Sequence, residues 1–468
     1  MNILKILILK MNVIVYLNIL LIKKLFISKQ KNSNKKEKPK KLLDIVYLDV
    51  PNTENYKFKN RKVQFYTEQC EISPEELSKI NSINSTKVNP IEIPIKESPV
   101  KVIIDTDIGT DLDDGLALLY ALHNKNIEIL GITTNYGPTK LRAAIVSKIC
   151  EAYWKNNPNS KKFPIVPGCS FPMGTHRNFF FAGNEGVGIF KDENEILNIA
   201  GDWFKYDKNK IYKNDASDFI IKMCSENKDL TLISIGIPTN IGNALKINPK
   251  IAYQIKEIVI MGVGSYLTQL HKHKFIKYSL NWDNKIEDDP PFELPKNEKE
   301  ANNFLFEGKR TILFPNHNLS GDTLASKIIF DTKDLNIRII PHYVTSQFWL
   351  KGEAIEFLKE KAKNFDVDMK NNKIQSSSYV GKLLEGWFYV RRGNRDGQCP
   401  HDPLTIYEAI YGGNDSKVIY ISGTLIIHEW AAYSTFIPHE NGKHLLGIDA
   451  KNIQEYLEHL SQVLMKDD

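Results

Sequence analysis

The sequence predicts an α/β domain built on a mostly parallel central sheet flanked by helices, a Rossmann-like open sheet. Two observations predict it. From Val100 onward, short apolar runs that read as buried strands alternate with helical segments. The first of these runs also leads straight into five aspartates within ten residues, DTDIGTDLDD at 105–114, and in open α/β sheets ligands bind just beyond the carboxyl ends of the strands.

Residues 100–105 form a nearly continuous apolar run, as expected of a parallel strand covered on both faces. A helix is expected over 115–124, where Leu116, Leu119, Tyr120 and Leu122 are spaced for one face. A strand at 127–134, a helix at 141–154 and a strand at 163–167 complete the first units. Later strands are expected at 230–236, 257–262, 310–315 and 418–421, with helices at 216–224 and 300–306 among them. No repeat of solenoid length is present.

Three zones divide the chain: 1–42, 43–98 and 99–468. In the first, eleven lysines face Glu37 alone, so this arm carries +10 against a whole-chain net charge of +6, which leaves the remainder at −4. A mildly acidic body argues against nucleic-acid binding as its main role. The arm reads as a solvated basic extension, although contact with an anionic membrane surface fits the same charges. Within it, residues 11–22 are an apolar run shorter than a spanning helix needs and lack a small-residue cleavage site. Signal segment, anchor and upstream extension stay open. Residues 43–98 contain β-like runs at 43–50 and 63–66 and no recognisable chemistry. The large zone is the expected catalytic domain. Five scattered cysteines without a CxxC pair fit a reducing, cytoplasmic setting rather than a disulfide framework or a zinc site.

Five like charges in one short loop repel, so something must offset them: a hard cation, partial protonation, or the positive end of the following helix. Oxygen-only donors favour Ca²⁺ or Mg²⁺ over zinc, and Gly109 and Gly115 permit the tight backbone path. The EF-hand spacing is absent, because no terminal glutamate follows and a strand precedes the loop. A strand followed by Asp-x-Asp also opens haloacid-dehalogenase-type phosphatases, in which Asp105 would be the nucleophile and Asp107 the acid/base.

Asp105-Thr106-Asp107-Ile108-Gly109, then Asp113-Asp114, then Gly115-Leu116-Ala117-Leu118 resemble the opening signature of the inosine–uridine-type nucleoside hydrolases, with a loop two residues longer than the common form. Further similarities follow in the family's order: Leu130-Gly131-Ile132-Thr133-Thr134, the stretch LISIGIPTNIGNAL at 232–245, Ile258-Val259-Ile260-Met261-Gly262, His401-Asp402-Pro403-Leu404 and Gly447-Ile448-Asp449-Ala450. Together they span residues 100–460, and five motifs in order are far more specific than any one.

The resemblance implies calcium-dependent hydrolysis of the N-glycosidic bond of a ribonucleoside or related ribosyl compound by a homo-oligomer. It implies side-chain calcium ligands at Asp107, Asp114 and Asp402 and a backbone carbonyl ligand at Thr239. Asp107 would be general base, Asp113 would hold the ribose 2′-hydroxyl, Asn281 would contact the 3′-hydroxyl, and His401 would serve as acid for the departing base. The physical chemistry is consistent with this: an oxocarbenium-like state is favoured by nearby carboxylates, and an imidazole suits protonation of a leaving base.

The departures lie around the base and the 5′ end. Ala182-Gly183-Asn184-Glu185-Gly186 stands where the family has a His-Gly-x-x-Gly loop, with His176 nearby. Gly137-Pro138 replaces Gly-Asn. Ser279 replaces a glutamate, with Asp283, Asn284 and Glu287 close by. Trp282, Phe179, Phe180 and Trp387 suit either base stacking or core packing. A calcium- and ribose-binding relative without turnover is the alternative these departures motivate.

Overall fold

The computed structural model describes residues 46–48, 87–94, 99–174, 179–181, 185–201, 214–268, 294–314, 316–390, 396–428 and 433–468. Residues 1–45 lie outside this set, and with them the apolar run and the lysine-rich arm. Among the described residues, no helix is long and apolar enough to cross a membrane.

Ten strands form the main sheet: β1 (Val100–Thr106), β2 (Ile127–Thr134), β3 (Ile165–Pro167), β4 (Leu230–Ser234), β5 (Ile255–Met261), β6 (Thr311–Leu313), β7 (Ile337–Ile340), β8 (Val418–His428), β9 (Tyr433–Pro438) and β10 (His444–Ala450). Their spatial order is β3-β2-β1-β4-β5-β7-β10-β8-β9-β6. From β3 through to β10 all neighbours run parallel. The β10-β8-β9-β6 end is antiparallel. Two short ribbons stand apart, one pairing Val46–Leu48 with Phe179–Phe181 and the other Leu350–Lys351 with Gly397–Gln398. The first places part of the 43–50 run in a strand.

The apolar runs are continuous because both faces are covered. Along β1, Val102 and Ile104 enter one hydrophobic cluster and Ile103 enters the other, as the two-residue side-chain period of a strand requires. Helix Asp113–Leu122 is buried along its whole length. It begins two residues before the expected start, so Asp113 and Asp114 occupy its first turn.

The strand order reverses between β1 and β4. The chain leaves β1 toward β2 and β3 on one side and later returns to build β4, β5 and β7 on the other. This is the topological switch point, where connections leave in opposite directions and open a crevice beyond the strand ends. The aspartate loop follows β1, and the 235–239 segment follows β4.

Candidate active site

The two switch-point loops touch. Backbone N–H groups of Ile235 and Gly236 donate to the Asp105 carbonyl at 2.9 and 3.3 Å. A Cβ on Gly236 would lie 2.7 Å from the Asp107 nitrogen, so only glycine admits this approach. Gly109 sits at φ 113, which also favours glycine.

Asp105 lies beneath the site, 1% exposed. Its register partners are Thr133 on β2 and Ser234 on β4. One carboxylate oxygen accepts from Thr133 Oγ1 at 2.6 Å and from Asn240 Nδ2 at 2.7 Å. Burial pushes its pKa up to about 7. Asp105 thus ties β1, β2 and the helix Thr239–Ile247 together. Its burial also takes it out of reach of a substrate, which the phosphatase reading requires.

Asp113, Asp114 and Asp402 converge, each offering a carboxylate oxygen within 4.8 Å of the others. Asp113 and Asp114 stand in the first turn of Asp113–Leu122, and Asp402 in the first turn of His401–Asp415. Two positive helix ends therefore meet at one acidic point, which offsets part of the repulsion. The Thr106 hydroxyl donates to Asp114. All three carboxyls are held well above the ordinary carboxylate range, first by burial and then by one another and by Asp107 and Asp111. A buried group of oxygen donors that resists full ionisation fits a hard divalent cation, whose charge would replace the protons.

Asp107 is not one of the three converging residues, although its charge acts on each of them. Its side chain keeps 12% exposure, and its carboxylate lies 3.9 Å from His317 Nε2. Burial pushes Asp107 up to about 6, against the lowering influence of Arg142. His317 packs edge-on to Tyr136, with ring centroids 5.5 Å apart.

The loop owes its shape to Arg142, which is 1% exposed. Its guanidinium donates to the Asp107 carbonyl, to the Ile108 carbonyl at 2.8 Å, to the Tyr136 carbonyl at 2.7 Å and to Thr110 Oγ1 at 3.1 Å. Thr110 in turn donates to Glu185 at 2.7 Å, and Glu185 lies 4.0 Å from Arg142. Tyr136 takes φ 60, a strained value for a bulky residue, and its carbonyl is one that Arg142 holds. Replacing Arg142 by methionine keeps most of the volume and removes every donor, leaving Glu185 as a buried charge. We expect Arg142→Met to cost about 3–5 kcal/mol in urea unfolding. A loss under about 1 kcal/mol would show that the loop holds its own shape.

Thr239 opens its helix just beyond β4 and donates its hydroxyl to Asp322 at 2.7 Å. Asp322 is wholly buried and also accepts backbone N–H groups from Met173, Gly174 and Ala325 at 2.6, 3.0 and 3.0 Å. It thereby anchors Thr239 and the 171–174 segment at once. His401 Nδ1 lies 2.5 Å from Thr345 Oγ1, and its ring stacks on His342 at 4.8 Å and 23°. The Trp387 indole packs against Phe388 and donates to Asp111 at 2.8 Å, so it braces the loop.

The structure therefore brings Asp113, Asp114 and Asp402 together, with Asp107 near enough for its charge to act on all three and His401 adjoining Asp402 in sequence at the same helix start. Asn281, Ser279, Trp282, Asp283, Asn284, Glu287 and His176 lie outside the described residues, as do the side chains of Phe179 and Phe180. Sequence reasoning passed over Arg142, Asn240, His317, Asp322, Thr345 and the bracing role of Glu185.

The family model for inosine-uridine preferring nucleoside hydrolases matches residues 102–438, well over half of the chain. The chain belongs to that family. Among curated relatives, the inosine-uridine preferring nucleoside hydrolase of Crithidia fasciculata is 33% identical over 177 residues, 36% of this chain and 49% of the relative. The pyrimidine-specific ribonucleoside hydrolase RihB of Escherichia coli is 29% identical over 171 residues, 36% of this chain and 49% of the relative. The chain thus spans about half the length of these curated relatives. In three dimensions, a purine-preferring ribonucleoside hydrolase from Gardnerella vaginalis gives a TM-score of 0.51 at 18% identity, covering 78% of this chain and 98% of that one. An inosine-guanosine nucleoside hydrolase gives 0.51 at 14% identity, with the same coverage of each chain. These likenesses establish the family's fold.

Proposed function

We propose that this chain hydrolyses the N-glycosidic bond of a ribonucleoside or related ribosyl compound with the help of calcium, releasing base and ribose. The observation that carries this reading is the convergence of Asp113, Asp114 and Asp402 at the switch point of a nucleoside-hydrolase fold.

Asp107, Asp114 and Asp402, with the Thr239 carbonyl, would hold the cation. When bound, it supplies a fixed positive charge that orients the ribose diol and acidifies water. Asp113 accepts a hydrogen bond from the 2′-hydroxyl and fixes the sugar against the cluster. Asp107, the most open of these carboxylates, takes a proton from the attacking water. As the bond to the base lengthens, positive charge grows on the sugar ring, and the surrounding carboxylates favour it. His401 delivers a proton to the departing base. Arg142 and Asp322 fix the loop backbones that aim these groups.

The departures from the family pattern lie at sequence positions that the resemblance assigns to the base and 5′ ends. The metal and water parts are kept, while the base and 5′ ends differ, so the substrate is a ribosyl compound whose base is defined by experiment. Incubating the purified chain with a panel of purine and pyrimidine ribonucleosides, with and without a calcium chelator, tests the reading. Chelator-sensitive release of free base is expected. Tight calcium binding with no base released from any nucleoside would instead leave the non-catalytic ribose-binding alternative.

A further inference from the structure

Behind His401 lies a short helical turn, His342–Thr345, that no motif marks. It is pinned from below, because the His342 N–H donates to the Val263 carbonyl at 3.1 Å. Val263 itself takes φ 58, a strained value for a β-branched residue. Such strain persists only where surrounding structure over-determines it, so the position of this turn is tightly set.

Thr345 is fully buried, and its hydroxyl has two neighbours: His401 Nδ1 at 2.5 Å and the His342 carbonyl at 3.0 Å. The hydroxyl has one hydrogen to give. The His342 carbonyl already receives the Ser346 N–H at 2.9 Å and the Ser346 hydroxyl at 2.6 Å. Those two donors fill the two lone pairs of a carbonyl oxygen. The Ser346 hydroxyl has an alternative acceptor in His342 Nδ1, but at 3.2 Å that contact is the longer one. The crowded carbonyl and the shorter contact to His401 favour donation by Thr345 to the His401 nitrogen over donation to the His342 carbonyl.

We propose that Thr345 is a positioning residue for His401: its hydroxyl donates to Nδ1, so neutral His401 carries its ring hydrogen on Nε2. This rests on the hydrolase reading only for its consequence. The ring is clamped from two directions, by the hydroxyl in its plane and by the His342 ring on its face at 4.8 Å. Neutral His401 can then offer Nε2–H to a leaving base as a hydrogen bond. It gives that proton up only as the imidazolium, with Nδ1–H donating to Thr345 Oγ1 and the Thr345 hydroxyl turned to the His342 carbonyl at 3.0 Å. Thr345 touches no substrate and acts through His401 alone.

The ring hydrogens can be read directly by nitrogen NMR of the full chain labelled in histidine, at alkaline pH, with the His401 signals assigned by their loss in His401→Gln. The expected pattern is a bare Nδ1 and a protonated Nε2. Thr345→Val removes the donor at nearly constant shape. It should lose this pattern and lower kcat about tenfold or more with little change in KM, the low end of the cost of removing a partner behind a functional histidine. Thr345→Ser should restore both. A protonated Nδ1 in the unaltered chain overturns the proposal, as does a Thr345→Val variant with unchanged ring signals and unchanged turnover. If the valine variant does not fold, the unaltered chain and the serine variant still decide the matter. The ring signals need no substrate, so failure of the hydrolase reading leaves this test standing. Conversely, normal nucleoside turnover with the opposite tautomer sinks only the role of Thr345.

Discussion

Asp107→Asn should fold normally and lose nucleoside hydrolysis by about a thousandfold or more, within the range for removal of a general base that also helps hold a cation. The reason for normal folding is that the loop is held through backbone carbonyls: Arg142 grips the Asp107 main chain, and its side chain is not part of that grip. Removing one charge from a repelling group should if anything ease folding, since Asp107 raises the pKa of Asp113, Asp114 and Asp402. Calorimetric titration with calcium should show weakened binding in the same variant. A variant that retains activity within tenfold would move the base elsewhere. His317, 3.9 Å from the Asp107 carboxylate, would then be the group to replace next.

Chelating the chain should reverse the usual effect of pH on a carboxylate-rich protein. Ordinarily a paired carboxylate has a depressed pKa, and stability is lost on acidification. Here the shifts run upward, Asp105 to about 7 and Asp107 to about 6, with Asp113, Asp114 and Asp402 also raised, chiefly by burial. Between the unfolded value near 3.8 and these folded values, the native chain holds more protons than the unfolded one. Stability then falls as pH rises through that window. For Asp105 alone, the move from 3.8 to about 7 amounts to roughly 4 kcal/mol. If calcium is the ion held there, it would substitute positive charge for the protons of the converging carboxylates, so its stabilising effect should grow with pH. Thermal unfolding of the chelated chain at about pH 5 and about pH 8, with calcium restored in a parallel series, measures this. Equal stability of the chelated chain at both ends, or an equal calcium effect at both, would contradict it.

Much of the sheet was legible because buried parallel strands are written as nearly continuous apolar runs: β1, β2, β4 and β5 each read this way, with Lys101, Glu128, Lys256 and Glu257 confined to the first three positions of their strands. β7 does not, and the reason is Arg338, a charge in the middle of the run Ile337–Ile340. Arg338 is 1% exposed, and it is tolerated because Glu257 meets it at 2.6 and 2.8 Å and the Glu408 carbonyl accepts from it at 2.6 Å. Those partners come from distant parts of the chain, so no local pattern reveals them. At the antiparallel end the strands expected at 310–315 and 418–421 are β6 and the start of β8, whereas β9 and β10 were not expected, and only register shows β9 and β6 extending the sheet beyond β8.

The same division runs through the site. The aspartates of 105–114 stood out because five carboxylates directly follow a buried strand, and Asp402 stood out only through the resemblance of His401-Asp402-Pro403-Leu404 to the family's motif. Arg142 sits within an ordinary amphipathic helix and reads as a surface cation. Asp322 and Thr345 read as a helix cap and a small polar residue. Each acquires its role only through the approach of an element far away in sequence, Thr345 by standing behind His401 and Asp322 by standing beside Thr239.

The placement of the acidic residues gives the site a temporal character. Asp113 and Asp114 come early in the domain and Asp402 late, on a helix that follows every parallel strand except β10. A chain emerging residue by residue thus completes a first carboxylate pair long before the third arrives. Bringing them together closes one of the longest loops in the domain, a step of high contact order that belongs near the end of folding. A bound ion can therefore act as a latch on the finished domain, but it cannot serve as the seed from which the domain grows.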